Sequence, residues 1–481
     1  MRRSMLALFA LAVAGGCNPG DFNTALDRAP VQFTAAPDGF GANAGRMLLP
    51  LAPPTDNPKV AARLLFASTE TQGLAVADFD GDGKPKVQTA ASADLGSLGL
   101  SSGQGGISSA AWMSGPTAAG TIVLGMPNVS GTQGQGSAVG RVGFLRLAAD
   151  DAGGKVGFEI AQTPVDGPLT DSHFGLAVAI AGVTQTTTDE VIVVSDNAVR
   201  VLGVAAASTT CMGSLPTPPD LHRSLAVANF LSDADGGGRQ EIAVGLPVKG
   251  GAGQVFILQY GINLANPLLP AGLFCARKLG VPSPVGNPAV GGFGAALVAV
   301  PDMNGDGLAE LVVGAPPDRA YLMFSPFDGS TTPLVFTKVK VATVSGVTTV
   351  DPNTPDGASE FGQRVALVDV DGDGIEELAI TALQANVGST QKAGQVLVYK
   401  LTDGTTPIAI VDDSNPTANT EFFGIGLADL EFNSSRACAK GKDAHLLVAG
   451  ADAGVFTFFR FAGIGPSPKV VAPDPRCFAQ K

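Results

Sequence analysis

Apolar residues along this chain come in short runs, and many of these runs alternate with small or polar residues. Phe174-Gly-Leu-Ala-Val-Ala alternates, Glu190-Val-Ile-Val-Val194 is apolar throughout, and Ala198-Val-Arg-Val-Leu202 alternates again. Period two points to strands, whereas an amphipathic helix would show a period near 3.6. No stretch of helical period competes with this pattern. The pattern also repeats. Each unit reads as an alternating strand, an acidic turn or its remnant, a second apolar strand that often ends in Gly-x-Pro, and a third strand led by Gly.

Seven such units can be traced. Gly73-Leu-Ala-Val-Ala-Asp78 leads to Lys86-Val-Gln-Thr-Ala, and Ile107 leads to Thr121-Ile-Val-Leu-Gly-Met-Pro127. Phe174-Gly leads to Glu190, and Ser224-Leu-Ala-Val leads to Glu241-Ile-Ala-Val-Gly-Leu-Pro247. Phe293-Gly leads to Glu310-Leu-Val-Val-Gly-Ala-Pro316, Phe361-Gly to Glu377-Leu-Ala-Ile-Thr, and Phe423-Gly to His445-Leu-Leu-Val-Ala-Gly450. Outer segments such as Val156–Ile160 and Leu334–Val339 supply a fourth strand. About four strands per unit at a period near sixty residues predicts an all-β, seven-bladed β-propeller. Six blades are clear. The first is irregular, since its third strand would have to come from Leu95–Ser102.

Two of the acidic turns are nearly identical. Asp302, Asn304, Asp306 and Glu310, with the Leu308 carbonyl, match Asp369, Asp371, Asp373 and Glu377, with the Ile375 carbonyl. Oxygen groups at positions 1, 3, 5, 7 and 9, with Gly at 6 for the sharp turn, suit the six to eight oxygens of Ca²⁺. An EF-hand would carry its bidentate Glu at position 12. Here that position is Val313 or Ile380, inside an apolar strand. The first unit offers Asp78, Asp80, Asp82 and the Lys84 carbonyl, but Lys86 stands at position 9, so either the lysine swings out or the site is weak. The fourth has Asn229, Asp233, Asp235 and Glu241, with Leu231 at position 3. Asp189, Asp429 and Glu431 read as ordinary surface acids.

Phe-Gly, the acidic loop and Leu-Val-Val-Gly-Ala-Pro together resemble FG-GAP repeats, the blades of the integrin α-subunit propeller. The resemblance spans roughly Gly73–Phe461. It implies a seven-bladed ring with calcium loops between the first and second strands of some blades. It also implies ring closure by a segment from one terminus, for which Val60-Ala-Ala-Arg-Leu-Leu-Phe66 is available.

Composition narrows the class. The chain has 481 residues, with 63 Gly and 34 Pro, which is rich in turns but short of a disordered composition. Its net charge of −13 disfavours nucleic acid. Met1-Arg2-Arg3, an apolar run and Gly15-Gly16-Cys17 read as an export signal over 1–16 that ends in a lipobox-like cysteine, although the usual Leu is Ala14. Cys17 is then the lipidated N-terminus, and Asn18 after it favours the outer membrane. Residues 17–58 read as a tether, 59–465 as the propeller and 466–481 as a tail. Four further cysteines suggest two disulfides, Cys438–Cys477 and Cys211–Cys275, with buried free thiols as the other reading.

Catalytic chemistry is sparse. His173, His222 and His445 fall at no metal spacing, and Gly99-Leu-Ser101-Ser-Gly103 lacks the strand–turn–helix context of a nucleophile elbow. The reading is a calcium-binding, lipid-anchored extracytoplasmic propeller that binds a protein or polysaccharide. The alternative is a hydrolase or lyase that uses the central channel for an extracellular substrate. A third reading is an envelope spacer with no specific ligand.

Overall fold

The computed structural model describes residues within 45–53, 59–67, 74–79, 85–89, 106–113, 120–129, 139–147, 157–168, 172–184, 189–204, 208–209, 223–232, 238–248, 253–261, 272–282, 292–344, 347–355, 359–370, 375–386, 391–412, 422–431, 445–450 and 456–460. Among them every regular element is a strand. Among the described residues no helix is long and apolar enough to cross a membrane.

The first antiparallel sheet comprises β1 (Met47–Leu51), β2 (Ala62–Ala67), β3 (Leu74–Phe79) and β4 (Pro85–Thr89). The second comprises β5 (Ser109–Met113), β6 (Thr121–Met126), β7 (Arg141–Leu147) and β8 (Phe158–Asp166). The third is β9 (Ala177–Ala181), β10 (Glu190–Val194), β11 (Val199–Val201) and β12 (Ser208–Thr209). The fourth is β13 (Leu225–Ala228), β14 (Glu241–Leu246), β15 (Gln254–Gly261) and β16 (Gly272–Leu279). The fifth is β17 (Leu297–Val300), β18 (Glu310–Ala315), β19 (Arg319–Met323) and β20 (Leu334–Thr337). A hairpin follows, β21 (Val339–Val344) with β22 (Val347–Pro355). The sixth sheet is β23 (Phe361–Val368), β24 (Glu377–Ala382), β25 (Gln395–Lys400) and β26 (Pro407–Val411). The described residues close with the three-stranded β27 (Gly426–Glu431), β28 (His445–Gly450) and β29 (Phe456–Arg460).

Each first strand touches the first strand of the next sheet, from β1 through β5, β9, β13, β17 and β23 to β27, and β27 returns to β1. This is a β-propeller of six full blades with a three-stranded sheet between the sixth and the first. The cores lie between sheets. One gathers Val312, Leu322 and Phe336 of the fifth blade with Phe361, Leu378, Ile380 and Tyr399 of the sixth. Second strands are therefore buried on both faces, which is why β6, β14, β18 and β24 read as unbroken apolar runs.

The first blade departs from the expected frame. Its acidic segment joins the third and fourth strands, because β1 and β2 precede it. The innermost strand, β1, lies in the stretch expected to be tether. The segment Val60–Phe66, expected to close the ring, instead supplies most of β2, the second strand of the first blade, paired with Met47–Leu51 and Leu74–Phe79. Leu95–Ser102 lies outside the described residues. The β21–β22 hairpin was not foreseen from the repeat pattern.

The Phe-Gly and Gly-x-Pro signatures meet across the seams. A Cβ placed on Gly314 would lie 2.0 Å from the carbonyl oxygen of Gly362, in the next blade's Phe-Gly. The same approach joins Gly125 to Gly175 at 2.2 Å and Gly245 to Gly294 at 2.1 Å. The Phe carbonyl is seated in the same way, with a Cβ on Gly253 only 2.0 Å from Phe293 O. The hydroxyls of Ser108 and Ser224 donate to the seated carbonyls of Gly175 and Gly294, at 2.9 and 2.6 Å. Gly362 also holds φ at 94°, and Glu360, two residues earlier, is left-handed at 51°. At the ring's closure Gly45 takes this role, its carbonyl lying 2.4 Å from a Cβ on Gly450. The ring thus closes through the kind of contact that joins its second to third, fourth to fifth and fifth to sixth blades.

Gly314→Ala is expected to cost about 3 kcal/mol or more, because the seated carbonyl has no room to yield. Gly329→Ala, at φ 82° with nothing within 4 Å of its Cβ, should cost only the left-handed penalty of about 1 kcal/mol. Urea unfolding of both variants checks this, and equal losses would contradict the seam argument.

Candidate metal centre

The turn between β17 and β18 brings three acids to one point. Oxygens of Asp302, Asp306 and Glu310 lie within 4.8 Å of one another, the two aspartates exposed and the glutamate buried. Backbone N–H groups hold the loop around them. Gly305 and Gly307 donate to Asp302 at 2.7 and 2.8 Å, and Leu308 donates to Asp306 Oδ1 at 2.8 Å. Asn304 accepts from the Asp306 N–H at 2.8 Å and donates to Asp306 Oδ2 at 3.1 Å. From outside the loop, the Ser325 hydroxyl donates to Asp306 Oδ2 at 2.9 Å. Gly307, at position 6, has φ 83°, as the spacing requires.

Glu310 heads β18 and is fully buried. Its Oε2 accepts the Met303 N–H at 3.0 Å. Its Oε1 is buried without a hydrogen-bond partner among the described residues. A buried carboxylate oxygen left bare beside two further acids is costly unless a cation or a proton occupies the space between them. Burial pushes the Glu310 carboxyl up, the Met303 N–H partly opposes this, and the charges of Asp302 and Asp306 push it further. Desolvation also acts upward on Asp306, but the Leu308, Ser325 and Asn304 hydrogen bonds outweigh it and hold that carboxyl below its usual range. An all-oxygen donor set with one starved buried oxygen fits a hard divalent cation.

Comparison with the other blades separates a live loop from a closed one. A glutamate starts the second strand in four blades, and in each it accepts backbone N–H groups of the preceding loop. In the third, Glu190 Oε2 takes Val183 and Thr184 N–H at 2.9 and 2.6 Å, while the Thr184 hydroxyl meets Oε1. In the fourth, Glu241 Oε2 takes Phe230 and Leu231 N–H at 2.8 and 2.9 Å, and the Gln259 amide lies 3.4 Å from Oε1. In the sixth, Glu377 Oε2 takes the Val370 N–H at 3.0 Å, matching the fifth. The glutamate is therefore a general cap on this loop, a role that reading it only as the ninth ligand misses. Its signal was present in Glu190-Val, Glu241-Ile, Glu310-Leu and Glu377-Leu.

Other expected site residues fall as follows. In the sixth loop Asp369 and Glu377 are buried and the Ile375 side chain is 67% exposed, while Asp371 and Asp373 lie outside the described residues. Leu231 is buried in the core between the fourth and fifth blades, so its side chain serves packing. In the first unit both oxygens of Asp78 face Arg63, at 2.5 Å from Nε and 2.7 Å from Nη2, in a buried ion pair. This corrects the expectation of a cation ligand there: the guanidinium already supplies the positive charge. Asp80, Asp82 and Lys84 lie outside the described residues, as do Cys17, Cys211, Cys438 and Cys477. Cys275, in β16, is disulfide-bonded. His173, left-handed at φ 54°, bonds Asp196 through Nδ1 at 2.6 Å.

The FG-GAP repeat model matches residues 293–328 and 361–399, which are the fifth and sixth blades with their loops. The chain is also similar to integrin alpha-4 of Xenopus laevis, with 31% identity over 179 residues. That alignment covers 34% of this chain and 15% of the integrin subunit.

Without divalent cation, folded Glu310 keeps its proton to higher pH than the unfolded chain does. Its contribution to stability should therefore fall as pH rises from the ordinary carboxylate range through its raised value. Glu310→Gln should flatten that slope in chelator and leave the protein at least as stable. Melting curves across this pH window measure both effects, and a steeper slope in the variant would contradict the assignment.

Proposed function

We propose that this propeller with FG-GAP repeats is a calcium-binding, lipid-anchored module of the cell exterior that recognises a protein or polysaccharide. The bare, buried Oε1 of Glu310 carries the calcium reading. Asp302, Asn304, Asp306, Glu310 and the Leu308 carbonyl would hold the ion in the fifth blade. Asp369, Asp371, Asp373, Glu377 and the Ile375 carbonyl would hold another in the sixth. Bound calcium would neutralise acids that otherwise repel, and so brace the loop that caps the blade.

The recognition reading draws on the inner strands. β1, β5, β9, β13, β17, β23 and β27 contain no His, Cys or Tyr, and their charged residues are Arg364, Asp429 and Glu431. Arg364 Nε donates to the Ile425 carbonyl at 3.1 Å, which makes it a structural bond between blades. Such a lining supports binding over chemistry. The likeness to an integrin subunit supports an exported protein, and Cys17 is the residue on which an outer-membrane lipid anchor would be built. Cys275 lies in β16, which touches β12, and β12 ends two residues before Cys211. We assign Cys211–Cys275 as a cross-link between the third and fourth blades, and Cys438–Cys477 as the tie of the tail.

Calcium at about a hundred times its dissociation constant should stabilise the fold by about 2.7 kcal/mol per site. The melting temperature should therefore be higher in calcium than in chelator, and no shift at all would sink the cation reading. Capture of an envelope protein or polysaccharide on the immobilised propeller, from extracts in calcium but not in chelator, tests the recognition reading. Non-reducing peptide mapping should recover the Cys211–Cys275 pair.

A further inference from the structure

We propose that the cation site of the fifth blade extends past its loop to Ser325, and that through the Ser325–Phe327 turn it clamps the seam between the fourth and fifth blades. The proposal rests on the calcium reading above. Ser325 follows β19, is almost fully buried, and gives its hydroxyl to Asp306 Oδ2 at 2.9 Å. Two residues on, Phe327 is left-handed at φ 60° and buried. Its ring meets Phe230 of the fourth blade edge-on, with centroids 6.1 Å apart. Phe230 is itself fully buried, and its N–H caps Glu241 at 2.8 Å. A second arm leaves the loop beside Glu310, where the Ala309 N–H donates to the Asn229 carbonyl of the fourth blade at 2.8 Å.

The neighbouring seam shows why this one depends on the ion. Between the third and fourth blades, Gln240 occupies the place of Ala309. Its N–H donates to the Gly182 carbonyl at 3.0 Å, and its Oε1 accepts the Gly182 N–H at 3.0 Å. That seam is bonded twice with no acid cluster involved. Ala309 has no polar side-chain group to make the second bond, so the contact passes to Phe327 on Phe230, held through Ser325 and Asp306. Asp306 also belongs to the acid triplet that bound calcium would draw together. Calcium binding would therefore fix both arms, and repulsion among the three acids would loosen both.

Hydrogen exchange of the full-length protein, in calcium chloride and in chelator, tests the clamp. Calcium is expected to slow exchange in peptides over 302–310 and over 225–232 of the fourth blade, and to leave 176–184 unchanged. Ser325→Ala should bind calcium about tenfold more weakly by calorimetry. At saturating calcium it should lose the protection over 225–232 while keeping that over 302–310. Protection confined to 302–310 overturns the clamp, and this wild-type result decides the matter even if the variant fails to fold. Wild-type affinity in Ser325→Ala overturns the role of Ser325. Absence of calcium binding and of protection at 302–310 overturns the calcium reading itself, and the clamp with it.

Discussion

Successive blades approach one another at distances that exclude a Cβ. The carbonyls of a Phe-Gly pair sit against glycines of the preceding blade, one in its second strand and one before its third. Each contact leaves no space for a side chain, so glycine is required on the receiving side. On the donating side the backbone is left-handed, so glycine is favoured there for a second reason. The Phe ring then fills the core between the two sheets, as Phe293 does against Tyr321 and Phe361 against Tyr399. The recurring dipeptide, the recurring glycine and the continuous apolar second strand are three consequences of one close packing. Gly45 extends it to the closure, so the ring carries at its joint the contact seen at several of its other seams.

That packing fixes where loops can emerge. In the third, fourth and fifth blades the turn after the first strand is bonded to the corresponding turn of its neighbour, through Gln240 to Gly182 and Ala309 to Asn229. Each such turn needs its N–H groups satisfied, and a glutamate at the head of the second strand does this in four blades. Once a carboxylate is buried there, its second oxygen also needs a partner. A threonine hydroxyl meets that need in the third blade, and in the fourth a glutamine amide lies near it. In the fifth none of the described residues does, and the loop's own aspartates face the same space. A loop that would take a cation and a self-closed loop are therefore two answers to one desolvation problem, told apart by what faces one oxygen atom.

The sequence by itself determined the strand class, the repeat and the two strong acidic loops. Those properties are local: alternation, a glycine at a sharp turn and acids at alternate positions are written in neighbouring residues. It also placed the fifth and sixth blades closely, because their signatures are intact. It misplaced the first blade by two strands, since β1 and β2 carry neither Phe-Gly nor an acidic turn. Their place follows from pairing with Leu74–Phe79 and from contact with β27 across the ring. Only the tertiary structure decided that Asp78 meets Arg63 instead of an ion, because register across β2 and β3 puts them opposite each other. Only it could show that Glu310 Oε1 is bare while Glu190 Oε1 is met, or that Ser325 reaches Asp306 from nineteen residues away. Burial and partnership of single atoms depend on what the rest of the chain brings alongside, and local pattern carries no record of that.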